Sequence, residues 1–345
     1  MTIETTELAP GYRIARLIKG GWQLAGGHGA IDRAAALADM AAYVEAGLFT
    51  FDCADIYTGV EDMIGAFRAS LPAEARARLK IHTKFVPDLE ILPTISREYV
   101  TRIIDRSLQR LGMERLDLVQ LHWWDYSFPL SVQTALWLRE LQAAGKIDLI
   151  GGTNFDSAHM AALHDAGVEV ASMQVQYSLL DDRPAAMMSE LCARHGTKLL
   201  CYGTVAGGFF SERWLGVAEP QEPLGNRSLS KYRLIIDDAG GWAFFQALLR
   251  VLARIGAKHG RGIGAVASRY VLGLPHVAAA IIGVRSRAHL AEHAALFSFA
   301  LDADDTAAIA GVLAQRRALP GDVYALERDR GGRHGRIMKY NLGDA

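Results

Sequence analysis

Cysteine is scarce in this sequence of 345 residues, and the three cysteines that it has are scattered. They are Cys53, Cys192 and Cys201, and no two of them form a C-x-x-C pair. A disulfide framework uses an even set of cysteines, and a structural zinc site uses closely spaced ligand pairs. We therefore expect neither a disulfide framework nor a metal site, and a reducing, cytoplasmic location fits the composition.

The sequence also lacks an excess of charge and any long apolar run. Its 37 basic and 38 acidic residues give a formal net charge of -1, so a nucleic-acid partner, which would need a basic surface, is not expected. The apolar run at 277–282 is far shorter than the roughly 20 residues that span a membrane. Residues 1–10 show no charged-then-apolar signal pattern. We expect a protein that acts on a small molecule, with no membrane partner and an oligomeric state that the sequence does not indicate.

Short apolar runs alternate with helical patterns along the whole chain, and 50% of the residues are hydrophobic, enough for a large core. Predicted strands lie at 15–22, 48–52, 79–85, 116–122, 147–153, 170–177, 198–203 and 278–284. Eight strand-then-helix units without a linker predict a single (β/α)8 TIM barrel domain over residues 1–345. The alternative is a doubly wound open sheet, but no G-x-G-x-x-G follows the first strand.

Two segments do not fit the barrel pattern. Residues 209–241 separate the seventh strand from its helix and contain Pro220, Pro223 and Gly225. Loops of this length in compact domains are usually lids or binding loops, so we expect a lid, with a surface insertion as the alternative. Residues 320–345 form a C-terminal extension in which arginines lie among glycines. This extension is expected either to be a solvated tail or to fold over the barrel mouth.

Three predicted strands end in residues that can carry chemistry: Asp52 ends the second, Lys84 the third and His122 the fourth. In a (β/α)8 barrel the active site lies at the C-terminal ends of the strands. Alternation along each strand allows these three side chains to point into the same barrel mouth. Tyr57 follows in the loop after Asp52. A carboxylate, an ammonium, an imidazole and a phenol are therefore expected to converge there as candidate catalytic residues.

Each of these residues also has a purely structural interpretation. Asp52 could cap a helix or form a structural ion pair with Lys84, and His122 could be a satisfied core histidine. Tyr57 could pack at the barrel rim. The placement of all four together is harder to explain without catalysis. Aromatic residues nearby are expected to form the substrate pocket, with ordinary barrel packing as the alternative: Trp22, Tyr57, Trp123 and Trp124.

The residues around these positions resemble the aldo-keto reductase superfamily. Asp52 and Tyr57 stand in the pattern D-x-A-x-x-Y-x-x-x-E. Lys84 follows a threonine, and His122 lies in Leu-His-Trp. Together they are similar to that family's Asp-Tyr-Lys-His tetrad, and the resemblance extends over most of the chain. It implies an NADP(H)-dependent oxidoreductase that interconverts an aldehyde or ketone and its alcohol by hydride transfer.

The resemblance also implies a role for each member of the tetrad. Tyr57 would act as the general acid and base, and the Lys84 ammonium would lower its pKa from about 10. Asp52 would hold Lys84 charged, and His122 would orient the substrate carbonyl by a hydrogen bond. The substrate itself and the direction used in the cell stay open. The alternative function is a sensor or regulatory barrel that binds a nicotinamide cofactor with negligible turnover.

The same resemblance implies a set of cofactor-binding residues. Those at the nicotinamide end and in the first-strand turn are Gly21, Trp22, Gln23, Asp52, Thr153, Asn154, Gln174 and Tyr202. Those expected under the pyrophosphate and around the adenosine are Gly203, Thr204, Ala206, Gly207, Gly208, Gly283, Arg285, Ser286, His289, Glu292 and His293.

The segment after the eighth strand favours NADP(H) over NAD(H). Unpaired N–H groups at a helix start attract an anion, and an arginine fork suits a phosphate. In the similar family this segment holds the 2′-phosphate and the adenine, and Arg285 and Ser286 fit that pattern. His289 stands where the family often has Arg or Gln, and His293 where it usually has Asn. The alternative is a solvated basic helix start.

Overall fold

Eight parallel strands close into a barrel in the computed structural model of this protein, which describes residues 3–25, 31–221, 224–284 and 286–341. Ten strands occur in these ranges: β1 (Thr5–Ala9), β2 (Tyr12–Ala15), β3 (Leu17–Gly20), β4 (Thr50–Asp52), β5 (Lys80–Phe85), β6 (Leu116–His122), β7 (Ile147–Thr153), β8 (Val170–Gln176), β9 (Lys198–Tyr202) and β10 (Val277–Gly283). Strands β3 to β10 form the barrel, and β10 pairs with both β3 and β9. The predicted (β/α)8 TIM barrel is confirmed.

Helices connect the barrel strands and add peripheral layers. They are α1 (Arg33–Glu45), α2 (Val60–Ser70), α3 (Ala73–Arg78), α4 (Arg97–Leu111), α5 (Ser131–Ala143), α6 (Ser157–Asp165), α7 (Met187–His195), α8 (Arg227–Ala239), α9 (Gly241–His259), α10 (Ile263–Leu272), α11 (Leu290–Ala295), α12 (Ala303–Leu313) and α13 (Ala325–Arg328). Local signals set their ends: the Ser96 side chain accepts from the Tyr99 N–H at the start of α4, and Gly112 ends α4 at φ 61°. No helix in the described part of the chain is long and apolar enough to cross a membrane.

The register of the parallel strands brings polar side chains to one end of the barrel. Lys84 on β5 lies opposite Gln120 on β6, and His122 lies opposite Thr153 on β7. Thr153 in turn lies opposite Gln174 on β8. Because parallel strands end at the same edge, neighbouring strands deliver these groups to one mouth.

The predicted first strand, 15–22, was too long, and the hairpin before it was missed. The barrel strand is only β3, and it follows the antiparallel pair β1–β2, whose turn contains Gly11 at φ 73°. Leu8 and Ile14 of this hairpin are buried in one cluster with Leu118 and Leu200 of the barrel. The hairpin therefore packs against barrel strands, and its Pro10-Gly11 turn was the sequence signal for it.

The segment 209–241 is not the irregular loop that its prolines and glycines predicted. It contains α8, whose N-cap Asn226 accepts a hydrogen bond from the Leu229 N–H. Leu229, Ile235 and Ile236 are buried in a cluster that also holds α9 residues. Apolar residues at helical spacing outweighed the loop composition of the preceding stretch.

The C-terminal extension folds over the barrel mouth rather than forming a solvated tail. Arg328 Nη2 donates to the backbone oxygens of Trp123 (3.0 Å) and Asn154 (2.8 Å), just after β6 and β7. The buried Glu327 lies 3.4 Å from Arg183 and 3.5 Å from Lys231 of α8. Ion pairs and hydrogen bonds thus join the extension to both the barrel and α8.

Candidate active site

A cavity of about 550 Å³ opens at the carboxyl ends of the barrel strands. All four candidate catalytic residues line it, namely Asp52, Tyr57, Lys84 and His122. Residues of the extension and of α8 complete its walls, among them Tyr324, Ile337, Met338, Arg227 and Lys231. The structure therefore brings the predicted tetrad together in one concave site, where reactive groups are expected.

The centre of the site is a buried ion pair. Lys84 Nζ lies 2.5 Å from Asp52 Oδ2 and donates to the Cys53 carbonyl at 2.8 Å. The side chains of Lys84 and Asp52 are each only 5% exposed. Burial alone would lower the pKa of Lys84, but the Asp52 charge and hydrogen bond outweigh it and raise that pKa to about 12. Lys84 is therefore a firmly protonated ammonium inside the barrel.

Two amide side chains hold the other oxygen of the same carboxylate. Gln120 Nε2 donates to Asp52 Oδ1 at 3.0 Å, and Gln174 Nε2 donates to it at 2.7 Å. Gln174 Nε2 also lies 3.1 Å from Gln120 Oε1. Asp52 is thus fixed on both oxygens, and Gln120 is a member of the site that the sequence reasoning missed although it precedes His122 by two residues.

Tyr57 lies beside this ion pair in the loop between β4 and α2. Lys84 Nζ is 5.1 Å from the centroid of the Tyr57 ring, and the Trp22 ring is 5.2 Å from it on the cavity wall. Burial raises the pKa of Tyr57, while the nearby Lys84 charge lowers it. The ammonium acts in the predicted direction, but burial outweighs it, so Tyr57 is a protonated phenol at neutral pH.

His122 stands at the end of β6 between aromatic side chains. Its ring meets Trp124 edge-on at 4.2 Å between centroids and Tyr324 at 5.7 Å. Its Nδ1 lies 3.1 Å from the Thr153 carbonyl oxygen. Burial and the Arg328 charge lower the pKa of His122 to about 3, so the ring is neutral. Tyr324 was not predicted, because nothing periodic in the tail marks it.

Asn154 and Gln174 leave the polar atoms that a carboxamide needs. Asn154, at φ 61°, accepts from the Tyr202 hydroxyl through Oδ1 (2.8 Å), which leaves its amide N–H groups as donors. Gln174 spends its amide N–H groups on Asp52 and Gln120, which leaves Oε1 as an acceptor. Both residues line the cavity beside Tyr202. The Asn154 donors fit the carbonyl group of a nicotinamide carboxamide, and the Gln174 acceptor fits its amino group.

The loop after β9 is shaped by the close approach of α8. Gly203 and Gly207 have φ of 77° and 64°, and a Cβ on either would clash with the Tyr232 ring. Thr204 Oγ1 lies 3.1 Å from Ser268 Oγ of α10. Gly203, Thr204, Gly207 and Gly208 line the cavity, as expected for a surface that faces a ligand.

The far end of the cavity holds most of the residues expected around the adenosine. Gly283, His289, Glu292 and His293 line it. His289 Nδ1 lies 3.5 Å from Glu292, and His293 Nδ1 lies 2.9 Å from the Tyr43 hydroxyl. Arg285 lies outside the described residues. Lys19, a buried lysine of β3 outside the cavity lining, donates to the Val284 carbonyl next to Gly283 at 3.1 Å.

Among the predicted site residues that the structure describes, four do not line the cavity. Trp123 is fully buried, and its indole N–H donates to the Phe128 carbonyl at 3.0 Å. Because Trp123 directly follows His122, its side chain points to the opposite face of the strand. Trp123 therefore does not line the cavity, whereas Trp22, Tyr57 and Trp124 do. The other three outside the lining are Gly21, Ala206 and Ser286.

The position of Gly21 and Ser286 is still close to the site. The Gly21 N–H donates to the Asp52 carbonyl at 2.7 Å, and a Cβ on Gly21 would lie 2.8 Å from that oxygen. Ser286 caps the turn Arg287–His289 by accepting from the Ala288 N–H at 3.4 Å. Both therefore shape backbone next to the cavity. No group of three metal-ligating side chains occurs in the parts of the chain that the structure describes.

Comparisons with known proteins agree with this architecture. The chain is 35% identical over 176 residues to flagellar radial spoke protein 5 of Chlamydomonas reinhardtii. This match covers 46% of this chain and 33% of that protein. It is 26% identical over 218 residues to the NADH-specific methylglyoxal reductase of Escherichia coli strain K12, covering 57% and 66%. The matches to these two curated relatives thus span one third to just under two thirds of the relatives' own lengths.

A solved structure and a family model extend the likeness to most of the chain. The glycerol dehydrogenase of Gluconobacter oxydans matches 93% of this chain and 97% of its own with a TM-score of 0.76, and at 21% identity that likeness shows the fold. The model of the aldo/keto reductase family matches residues 16–314. Because that match covers most of the chain, including the barrel and all four residues of the tetrad, the chain belongs to the aldo/keto reductase family.

Proposed function

We propose that the protein is an NADP(H)-dependent oxidoreductase that interconverts an aldehyde or ketone and its alcohol. The observation that carries the proposal is the buried Lys84–Asp52 ion pair, with the Tyr57 ring 5.1 Å from the ammonium in the same cavity. A bound nicotinamide cofactor supplies the hydride. The residues of the chain have to hold the cofactor, position the substrate and move one proton.

Tyr57 is the group that moves the proton. Because burial raises its pKa, the phenol keeps its proton at neutral pH and can give it to the alkoxide that forms during reduction. Lys84 stabilises the phenolate that remains, and Asp52 keeps Lys84 protonated. In the reverse direction the same phenolate accepts the proton of the alcohol. Tyr57 is thus the general acid and base of the proposed reaction.

A screen for turnover tests the reaction class. Oxidation of NADPH by a panel of aldehydes and ketones, and reduction of NADP⁺ by polyols, would be followed by absorbance at the cofactor band. Turnover is expected with the wild-type protein and a loss of it in Tyr57→Phe. The competing function is a cofactor-binding barrel with negligible turnover, which the likeness to a protein named for the flagellar radial spoke motivates. Tight cofactor binding without turnover of any substrate would favour that function.

The choice of NADP(H) over NAD(H) rests on the segment after β10. His289 lines that end of the cavity, Ser286 caps the turn before it, and Arg285 directly precedes Ser286 in the sequence. An arginine fork binds a 2′-phosphate in a way that a ribose hydroxyl cannot match. One relative is named as NADH-specific, so sequence likeness alone does not decide the cofactor.

Matched arginine variants test the cofactor. We expect a higher kcat/KM with NADPH than with NADH, a preference lost in Arg285→Ala and kept in Arg287→Ala. Arg287 is the control because it lies two residues away and does not line the cavity. The measurement is repeated at low and high salt, since a phosphate contact weakens with ionic strength. A preference for NADH at both ionic strengths would contradict the assignment.

A further inference from the structure

The part of the cavity wall that α8 and the C-terminal extension supply is cationic. Arg227, Lys231 and Lys339 line the cavity there, and among the described residues neither segment adds a carboxylate to the lining. The carboxylates that do line the cavity lie elsewhere. Asp52 belongs to the buried ion pair of the tetrad, and Glu292 lies at the far end. This wall therefore favours a ligand group of negative charge.

Lys231 is the cation of this wall that is both enclosed and available. Its side chain is 17% exposed, whereas Lys339 is exposed to solvent. The Arg227 guanidinium already donates to the Ile337 carbonyl. A partly desolvated charge interacts with a ligand more strongly than a charge that water surrounds. Lys231 is therefore the position at which an anion gains most.

Three tyrosine rings surround the Lys231 ammonium. Its Nζ lies 5.1 Å from the ring centroid of Tyr202, 5.8 Å from that of Tyr232 and 5.7 Å from that of Tyr324. Ring faces attract a cation and hold it in place, but they do not replace an oxygen acceptor. The Tyr324 ring in turn lies 5.7 Å from the His122 ring. A single aromatic ring thus separates the ammonium from the tetrad.

The ion pair between Lys231 and Glu327 does not use all the donors of the ammonium. Nζ lies 3.5 Å from the Glu327 carboxylate, farther than the roughly 2.7–3.2 Å of an ordinary N–H···O hydrogen bond. Glu327 is also shared with Arg183, which lies 3.4 Å from it. An ammonium carries three N–H donors. Lys231 can therefore keep Glu327 and still donate to an oxygen of a ligand in the cavity.

We propose that Lys231 binds an anionic group of the substrate, so that the preferred substrate is an aldehyde or ketone with a carboxylate or phosphate at its other end. This inference rests on the proposed function of the same site and names a property of its substrate. The carbonyl lies at Tyr57, the anion lies at Lys231, and the Tyr324 ring separates the two ends. The cofactor pyrophosphate is the other source of an anion, and the affinity for the cofactor distinguishes the two sources.

Matched substrate pairs test this preference. We would compare para-formylbenzoate with para-formylbenzamide, succinate semialdehyde with pentanal, and glyceraldehyde phosphate with glyceraldehyde, each with NADPH. In at least one pair we expect kcat/KM to be roughly 10- to 100-fold higher for the anion, the range of a hydrogen bond to a charged group. Lys231→Gln should bring this ratio close to one by raising KM for the anion. Lys231→Arg keeps the charge and should keep most of the ratio.

Two controls separate this effect from a general loss of structure or of charge. The neutral member of each pair should keep its kcat/KM in Lys231→Gln, which shows that the site is intact. Lys258→Gln removes an exposed cation that pairs with Asp302 and Asp305 outside the cavity lining, and it should keep the wild-type ratio. The ratios of the wild-type protein need no variant, and equal kcat/KM in all three pairs would overturn the proposal.

The affinity for NADPH, measured by fluorescence titration without substrate, tests the other source of the anion. We expect the same Kd in Lys231→Gln as in the wild-type protein. A weaker affinity for NADPH with an unchanged substrate ratio would mean that Lys231 serves the pyrophosphate, and it would overturn the proposal. Equal turnover of anionic and neutral substrates leaves the proposed function intact, whereas no turnover of any carbonyl would refute the proposed function itself.

Discussion

Lys84 and Lys146 form ion pairs of equal length in very different surroundings. Lys84 lies 2.5 Å from Asp52 with both side chains 5% exposed, whereas Lys146 lies 2.5 Å from Asp105 with 35% and 47% exposed. In water the attraction between exposed charges is screened and is worth about 0–1 kcal/mol. At 5% exposure an unpaired charge has little solvent contact to replace its partner. The same distance therefore has a different energetic meaning at the two places.

Replacing Lys84 by methionine should destabilise the protein as well as abolish turnover. The variant leaves the Asp52 carboxylate buried without its cation, a loss of roughly 3–5 kcal/mol in the free energy of unfolding. Lys146→Met, which breaks the exposed pair, is the matched control and should change stability by no more than about 1 kcal/mol. Denaturant titration of the three proteins measures both values. An equal, small effect of the two substitutions would mean that the Asp52–Lys84 pair is not held in a dry interior.

Tyr57→Phe should lower kcat by about 10²- to 10⁴-fold, the usual contribution of a positioned general acid. The substitution removes only the hydroxyl, so the Trp22 and Lys84 contacts of the ring remain possible. Cofactor affinity, measured by fluorescence titration, should stay within a factor of about two because the phenol acts on the substrate oxygen. Wild-type kcat in a variant whose chemical step limits the rate would remove Tyr57 from its assigned role.

Strand geometry explains which site residues the sequence could predict. Asp52, Lys84 and His122 were predictable because a strand end in a barrel has a defined position and side chains alternate in direction. The same alternation accounts for the position of Trp123, which follows His122 and lies outside the cavity lining. Tyr324 could not be predicted, since its position beside His122 depends on how an irregular tail folds back over the mouth.

At the scale of elements, α8 shows how a helix can follow a stretch with loop composition. Pro220, Pro223 and Gly225 all precede the helix, and Asn226 then supplies the N-cap. The prolines and the glycine of this segment predicted a loop throughout, so the composition did not separate the two parts. The apolar spacing within 229–239 was the better guide, as it decides which face is buried.

We therefore expect a lid only in the N-terminal part of this segment, before α8. We predict that cofactor binding protects residues 215–221 from proteolysis and leaves α8 unchanged, because Ile235 and Ile236 are already fully buried. Cleavage by a glutamate-specific protease at Glu219 reports on this stretch, and cleavage at the exposed Glu74 is the internal control. Equal cutting at Glu219 with and without NADPH would contradict the lid.

At the scale of the whole molecule, buried neutral histidines make the fold sensitive to acid. Burial lowers the pKa of His82 and His122 to about 3 and that of His293 to about 4. In the unfolded chain a histidine titrates near 6.5. Below that value the unfolded state binds more protons than the folded state. The free energy of unfolding therefore decreases as the pH decreases. The contribution is complete above about pH 6.5 and is lost as the pH drops toward 3 to 4.

His82 gives the clearest test of this acid sensitivity. Neither of its ring nitrogens has a partner among the described residues, so His82→Leu removes a titrating group without breaking a hydrogen bond. The fall in Tm between pH 7 and pH 4.5 should be smaller in His82→Leu than in the wild-type protein. Scanning fluorimetry at several pH values measures it. An identical fall in both proteins would mean that His82 does not titrate on unfolding in this range.

The Glu327 carboxylate determines what a C-terminal truncation of this protein would remove. It sits 1% exposed in the C-terminal extension, 3.4 Å from Arg183 and 3.5 Å from Lys231, while Arg183 also keeps Asp181 at 2.7 Å. A chain shortened at residue 320 would retain the family-matched span and lose the acidic partner of Lys231. Such a product would keep its barrel sequence yet lack the carboxylate that pairs with Lys231 on the cavity wall, so we expect the C-terminal extension to be needed for the charge balance of the cavity.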